Sequence, residues 1–552
     1  MDRDWEYLSL AMGHQWYPED KDKSLLVCIV MELVLAGHIC MNLDSFLEDL
    51  KTIGINDTIT LDKDDVLELI ADDRNFSSDP KARSPFIYKN NCIYFYNQFV
   101  IEQELAQYIG NYLSQSYISL DHALLSPHGI RLTENQLKAA TLPLEHGLSI
   151  ITGGPGTGKT TVLSSVLLNY NKAFPKAVIQ LAAPTGRGAK RMVESISHQL
   201  DKTPWLDVIM DTASTVHKLL GFSQKGRPTR NKKNPFKLDL LIIDEASMLD
   251  FVMMRRILEA MPEKSQLLLV GDRDQLPSVE GGDFYGDILE YLREHHSSCM
   301  VTLDKSLRAN SALSKVASCI VRDDFDALKQ TIKDHEEVQQ SKDNQENPFF
   351  EEVLHRWSWN QLKYKGTFSC DIRDWKREQQ NIDDFFSLLN HGWILSPEYG
   401  SYWGVDQVND RVRLRCGLDS VLSAGLPIMI NKNDYSLGLY NGDRGALLSF
   451  GGSIFAFFPQ AHGYNFYSPG RLPSWEPAFA TTIHKSQGSE ADEVLMIMTS
   501  RSERLMTKEL FYTGVTRARN KLYLIADDEL LEKVISKKMH RQSGLKEQLL
   551  GI

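Results

Sequence analysis

Four short apolar runs mark the middle of the chain: "LSIIT" from Leu148, "AVIQLAA" from Ala177, "DLLIID" from Asp239 and "SQLLLV" from Ser265. They are too short for helices and rich in branched side chains. Longer stretches between them carry apolar residues three and four apart, as in "TVLSSVLLNY", the spacing of a helix face. This alternation predicts a parallel sheet with crossover helices from about Leu120 to Met300. The pattern returns in "GWILSP", "VDQVNDRVRLR", "EVLMIM" and "LYLIA". Between the second and third of these lies "GLPIMINKNDYSLGLYNGDRGALLSFGGSIFAFFP", whose NG and GG dipeptides are hairpin signals and predict a small β-barrel.

Upstream, residues 1–115 read as a helical domain with a strand pair at "FIYKNNCIYFY" and a helix at "EQELAQYIGNYL". The polar stretch "DHEEVQQSKDNQENPFFEE", from Asp334, reads as a surface loop or linker. The chain thus divides into 1–115, a first α/β domain at 116–300 and a second at 301–552, with the barrel-like insertion at about 421–475. The run "LLVCIVMELVLAGHICMNL" from Leu25 imitates a membrane segment, but Glu32 near its centre and its short length favour a buried helix.

At 552 residues with 42% hydrophobic and 24% charged side chains, the composition is that of a globular protein of several domains. A net charge of −12 excludes a protein coated in positive charge, though a local basic stripe still allows a nucleic-acid channel. Seven cysteines, none in a CxxC pair, predict a reduced cytoplasmic protein without structural zinc. The start "MDRDWEYLSL" has no signal-peptide pattern.

The chemistry begins at "GGPGTGKTT": Gly153, Gly154, Pro155, Gly156, Thr157, Gly158, Lys159, Thr160 and Thr161. It fits G-x-x-x-x-G-K-[ST] between a strand and a helix. Glycines let backbone N–H groups wrap a phosphate, and the helix start adds positive dipole. Lys159 is expected at the β- and γ-phosphates of ATP, and Thr160 on Mg²⁺. "LLIIDEAS" ends a buried strand in Asp244 and Glu245, where ligands sit in open parallel sheets. Asp244 is expected in the Mg²⁺ shell and Glu245 at the attacking water. An acidic pair after a strand can instead be a helix N-cap; the glycine loop favours the catalytic reading. Gln275, in "GDRDQ", lies past another strand end and can sense the γ-phosphate.

With "LDKSLRANSAL", "FATTIHKSQGSEADEV" and "LFYTGVTRARNKLYL" added, the order of motifs resembles superfamily 1 DNA helicases. "LTENQ", "LAAPTGRGAKRM", "TVHKLLG", "DEASM" and "HKSQGSE" narrow the resemblance to the RecD family, the α subunits of bacterial exodeoxyribonuclease V, and it covers nearly the whole chain except about 334–390. It implies an α/β fold of two RecA-like P-loop motor domains, a helical N-terminal domain that binds partners, and an SH3-like barrel inserted in the second motor. It implies Gln136 at adenine, Glu490 at the nucleotide sugar, and Arg308 and Arg517 as arginine fingers, with Arg519 competing for the role of Arg517. Such cations stabilise the charge that spreads over the γ-phosphoryl oxygens. Pro184, Thr185, Arg187, Thr215, His217, Thr482, His484, Lys485 and Gln487 are implied as DNA contacts of the kind that position the strand without reading its sequence. The basic stretch "KGRPTRNKKNPFK" (225–237) is either a strand-splitting pin, as in the family, or a solvated loop; Tyr435, Tyr440 and Phe450 are candidates for base stacking or for barrel core.

The implied function is an ATP-dependent helicase moving 5′→3′ on single strands, within a heterotrimer with two larger subunits resembling RecB and RecC. That complex processes double-strand DNA ends for recombinational repair. This chain shows no nuclease signature. A stand-alone RecD-like helicase is the alternative; those usually carry helix-hairpin-helix elements near the N-terminus, and no such pattern occurs here. A mainly structural subunit with a regulatory ATP switch is disfavoured by the intact motif set. Residues 1–115 show no chemistry of their own and are expected to be a removable adaptor. Lys159→Gln should fold normally and lose DNA-stimulated ATP hydrolysis by orders of magnitude, because phosphoryl transfer depends on electrostatic positioning; a steady-state ATPase assay beside a thermal melt checks both halves.

Overall fold

The computed structural model describes residues 11–52, 61–115, 125–222, 227–304, 311–344, 347–434, 436–460 and 463–552. Arg308, Tyr435 and residues 225–226 of the basic stretch lie outside these described residues.

The first motor domain is built on six parallel strands in the order Met300–Leu303, Leu148–Gly153, Gln266–Gly271, Leu240–Ile243, Ile179–Ala183, Ser214–Thr215. The four runs read from sequence are its centre, and both faces are covered by helices, so the strands are apolar almost throughout. The two edge strands are too short for a periodicity signal. One of them crosses the expected boundary at residue 300: Met300–Leu303 pairs with Leu148–Gly153 and belongs to the first sheet.

The second motor sheet is also parallel, in the order Val338–Ser341, Ala518–Ile525, Ala491–Ile497, Gly392–Ser396, Ala480–Thr482. Its edge strand Val338–Ser341 corrects the reading of the polar stretch from Asp334 as a loop. An edge strand needs hydrogen-bonding partners on one side only, so glutamines suit it, and Gln340 Nε2 donates to the Ala526 carbonyl.

Strands Pro427–Ile430, Arg444–Phe450, Ser453–Gln460, Gly463–Tyr467 and Trp475–Pro477 form an antiparallel sheet where a small β-barrel is expected, with Gly463–Tyr467 and Trp475–Pro477 at its two ends. Residues 347–391 supply helices that pack on it, and Thr367–Phe368 pairs with Arg444–Phe450. Phe450 is buried and stacks on Phe368 and Phe457, so it is core and not a base platform.

The N-terminal region is less helical than expected. The strand pair Phe86–Lys89 and Cys92–Phe95 is flanked by Met41–Asn42 and Phe76–Ser77 in a four-stranded sheet. The apolar run from Leu25 lies in helix Lys21–Leu35, buried from Leu26 to Leu33 apart from Glu32. Among the described residues no helix is long and apolar enough to cross a membrane.

This region does not have a core of its own alone. Tyr94, Phe99, Leu105 and Ile109 share one cluster with Leu241, Met254, Ile257 and Leu292 of the first motor, and with Leu545 and Leu549 of the chain's last helix. Tyr112 donates to the Pro262 carbonyl, and Arg255 pairs with Glu104. Removing residues 1–115 would uncover that shared core, which argues against a freely detachable adaptor.

Buried Glu102 stands at the centre of this junction. Its carboxylate accepts hydrogen bonds from the Tyr94 hydroxyl, the Gly544 amide and the Gln548 side chain, at 3.0–3.1 Å. Burial outweighs these donors and pushes its carboxyl up to about 7. The native state therefore holds a proton that the unfolded chain releases near pH 4.5. The stability due to this group is fully present below about 4.5 and is lost as pH rises through about 7. The difference in unfolding free energy between wild type and Glu102→Gln, measured by denaturant titration, should fall across that window and stay flat above it.

Candidate functional site

A cleft of about 360 Å³ lies between the motor domains. The first motor lines it with Gly154, Pro155, Gly156, Gly158, Lys159, Thr160, Thr161, Asp244, Glu245, Asp272 and Gln275; the second contributes Glu490, Thr516 and Arg517. The strand ends explain the convergence. In the first sheet, strands Leu148–Gly153, Leu240–Ile243 and Gln266–Gly271 deliver their carboxyl ends, and the loops that follow, to this edge; in the second, Glu490 and Arg517 directly precede strands Ala491–Ile497 and Ala518–Ile525, at their amino ends.

The phosphate loop is shaped for close approach. Gly156 and Gly158 adopt φ of +73° and +86°, which a side chain resists, and a Cβ on Gly158 would meet Gln136 Nε2 at 2.5 Å. Helix Lys159–Ala173 starts directly at Lys159. The Lys159 ammonium is bonded to the Gly153 carbonyl and, at 3.0 Å, to that of Gly154.

Asp244 and Glu245 follow strand Leu240–Ile243. Burial raises both carboxyls; Lys159 opposes this at Asp244, whereas Asp244 itself adds to the rise at Glu245. Glu245 holds φ at +57°, strained for a non-glycine residue. Two glycines make room for its carboxylate: a Cβ on Gly188 would lie 2.5 Å from Oε2, and one on Gly488 would lie 3.1 Å from both oxygens. The Thr185 hydroxyl donates to Glu245 at 3.5 Å and accepts from the Gly188 amide, capping helix Gly186–Ser197.

The two arginines of "TRAR" part company. Arg517 is buried, pinned by the Thr513 and Ser489 carbonyls, and lines the cleft. Arg519 lies outside the cleft lining and pairs with Glu490 at 2.9 Å, while Arg191 takes the other Glu490 oxygen at 2.6 Å. Burial alone would raise Glu490, but the two arginines hold its carboxyl down at about 2.

Several expected residues are occupied internally. Gln136 is not among those lining the cleft; it closes a capping box with Thr133 and donates to the Thr157 carbonyl. Thr215 caps helix Val216–Leu220. Gln487 is buried and donates to the Leu276 carbonyl at 3.4 Å. Lys485 is tied to Glu476, Asn431 and Tyr399. Arg187 lies over the Trp393 ring at 5.2 Å, with one guanidinium nitrogen buried and unpartnered, and burial lowers its pKa to about 10. His217 and His484 are exposed, and Pro184, Thr185 and Thr482 are half-buried. The basic stretch, over 227–237, folds as a tight turn, with Asn231 and Asn234 bridging and Phe236 buried. Tyr440 is half-buried against Gly186.

Sequence reasoning missed Asp272, Arg191 and Tyr512. Asp272 is buried at the end of strand Gln266–Gly271 and accepts from Gln275 and from Tyr512 of the other motor. "GDRDQ" carried Asp272 in plain view, but an acid after a glycine turn has no signal of its own.

The AAA domain family matches residues 136–281 and the UvrD-like helicase C-terminal domain family residues 477–525. The RecBCD enzyme subunit RecD of Haemophilus influenzae is 30% identical over 85% of this chain and 82% of its own length. The chain belongs to the RecD family. The RecD subunit of Mycolicibacterium smegmatis is 33% identical over 75% of each chain. Beside these RecD relatives, the solved structure of Pif1 helicase from Candida albicans aligns with 76% of this chain and 99% of its own at 17% identity, with a TM-score of 0.41.

The geometry makes one small change informative. Gly188→Ala places a methyl where Glu245 Oε2 now rests, while alanine suits a helix better than glycine. The variant should melt no lower than wild type, bind ATP normally and lose ATPase kcat by about tenfold or more; nucleotide titration and steady-state kinetics read the two effects separately.

Proposed function

We propose that this protein is the ATP-dependent DNA helicase subunit of a RecBCD-type exodeoxyribonuclease V, moving 5′→3′ on a single strand and working beside two larger subunits. The single observation that carries the motor reading is the cleft in which residues of both motor domains converge on one phosphate loop. The likeness to RecD subunits over most of the chain supports the place in the complex.

Lys159 leaves the Gly153 and Gly154 carbonyls for the β- and γ-phosphates when ATP enters; it exchanges two hydrogen bonds for charge-assisted ones. Thr160 and Asp244 are the residues that would hold Mg²⁺. Their hydroxyl and carboxylate are hard oxygen donors, and one Asp244 oxygen is spent on the Glu245 amide, which fits an ion that keeps several waters. The ion, when bound, neutralises charge on the β- and γ-oxygens.

Glu245, raised by burial and by Asp244, accepts the proton of the attacking water. Gln275 reads the γ-phosphate. Arg517, fixed and desolvated, meets charge that develops on the γ-phosphoryl group. Arg519 is engaged with Glu490 outside the cleft lining and is not the finger. The Thr185–Glu245 bond links an expected DNA contact to the hydrolytic carboxylate. Strand binding beside Thr185 thereby bears on hydrolysis. Residues 1–115 contact the larger subunits through surfaces other than the core they share with the first motor.

An unwinding assay tests the reading. The full chain should open a duplex with a 5′ single-stranded tail and not one with a 3′ tail. Arg517→Ala should abolish opening and lower ATPase kcat by about 100-fold or more with little change in ATP affinity, the pattern of a group that acts on the transition state. A change confined to nucleotide Kd would make Arg517 a ground-state contact.

A further inference from the structure

The helix Lys508–Val515 of the second motor is buried at every residue but Glu509, and two of its side chains reach across to the first motor. The Thr513 hydroxyl accepts a hydrogen bond from the Leu276 amide at 2.9 Å. The Tyr512 hydroxyl donates to Asp272 Oδ2 at 3.2 Å. That oxygen also accepts from Gln275 Nε2 at 3.1 Å, while Asp272 Oδ1 accepts from the Asp274 amide at 3.1 Å. Asp272 therefore has no freedom left, and its orientation fixes that of the Gln275 amide. The Tyr512 hydroxyl also lies over the phosphate loop, 3.0 Å from where a Cβ on Gly154 would stand. Tyr512 thus touches the phosphate loop and the carboxylate that holds Gln275. Arg517 follows five residues later in the chain, pinned through the Thr513 carbonyl.

We propose that Tyr512 is a positioning residue for ATP hydrolysis: through Asp272 it sets the Gln275 amide toward the γ-phosphate only while the second motor is docked. The same helix turn that delivers Arg517 thereby readies Gln275, and the two groups that meet the γ-phosphoryl charge become competent together. A tyrosine hydroxyl suits this task. It is rigid, carries one proton to donate, and leaves a packed ring behind when it is removed. The inference rests on the roles given above to Gln275 and Arg517.

The test compares Tyr512→Phe, Gln275→Ala and the double variant of the full chain in DNA-stimulated ATP hydrolysis. Tyr512→Phe should lower kcat by about tenfold while KM for ATP stays within about twofold. In the Gln275→Ala background the same change should cost no more than about twofold, because the group it orients is gone. A merely structural tyrosine would give additive losses in the double variant. Additivity, or wild-type kcat in Tyr512→Phe, overturns the proposal. Should Tyr512→Phe fail to fold, Asp272→Asn decides by the same comparison, since it keeps the shape but not the carboxylate that holds both donors. Wild-type kcat in Gln275→Ala would overturn the reading of the site and this inference with it; a loss there beside none in Tyr512→Phe overturns the inference alone.

Discussion

Leu276 follows Gln275 in the first motor, yet it is buried in the hydrophobic core of the second. Its amide bonds to Thr513 and its carbonyl accepts from Gln487, both of the second motor. A leucine that leaves water in this way contributes on the order of 2 kcal/mol. Two buried bonds to its backbone fix the register of the contact. The rest of the cleft depends on this plug. It sets how far the second motor sits from the phosphate loop, and so where Arg517, Tyr512 and Glu490 fall relative to Lys159 and Glu245.

Charge is organised around that register. Among the residues lining the cleft, Lys159, Arg191 and Arg517 face Asp244, Glu245, Asp272 and Glu490. Burial raises three of the four carboxyls, and only Glu490, clamped by two arginines, is held low. The carboxylates that stand where phosphate arrives are therefore the ones whose charge costs most, and the one at the domain boundary is neutralised by ion pairs. Strain follows the same division: Glu245 carries the left-handed backbone, and the glycines at 188 and 488 make room for its side chain.

Much of this was legible before any coordinates. Central strands of a parallel sheet are buried on both faces, so their apolar runs stand out, and the glycine loop announces itself because phosphate wrapping demands its composition. What stayed hidden has a common physical cause. The edge strands Ser214–Thr215, Met300–Leu303 and Val338–Ser341 are short or polar and are stabilised by a neighbour distant in sequence. Asp272, Tyr512 and Leu276 act through contacts across the domain boundary, for which a linear pattern carries no period. Gln136, Thr215 and Gln487, expected as ligand contacts, also have a part that no motif announces: their side chains serve the chain itself as caps and cross-links.

The chain's final segment changes allegiance between neighbouring residues. The Met539 amide is held by Glu509 of the second motor, while His540 bonds to Asp49 of the N-terminal region and Arg541 to the Ser278 and Glu280 carbonyls of the first motor. One peptide link thus joins the second motor to the N-terminal region, and the next joins that region to the first motor. A trans peptide spans about 3.8 Å between Cα atoms and does not stretch. At this edge the three bodies are consequently stapled by neighbouring residues, with no slack of chain between their anchors.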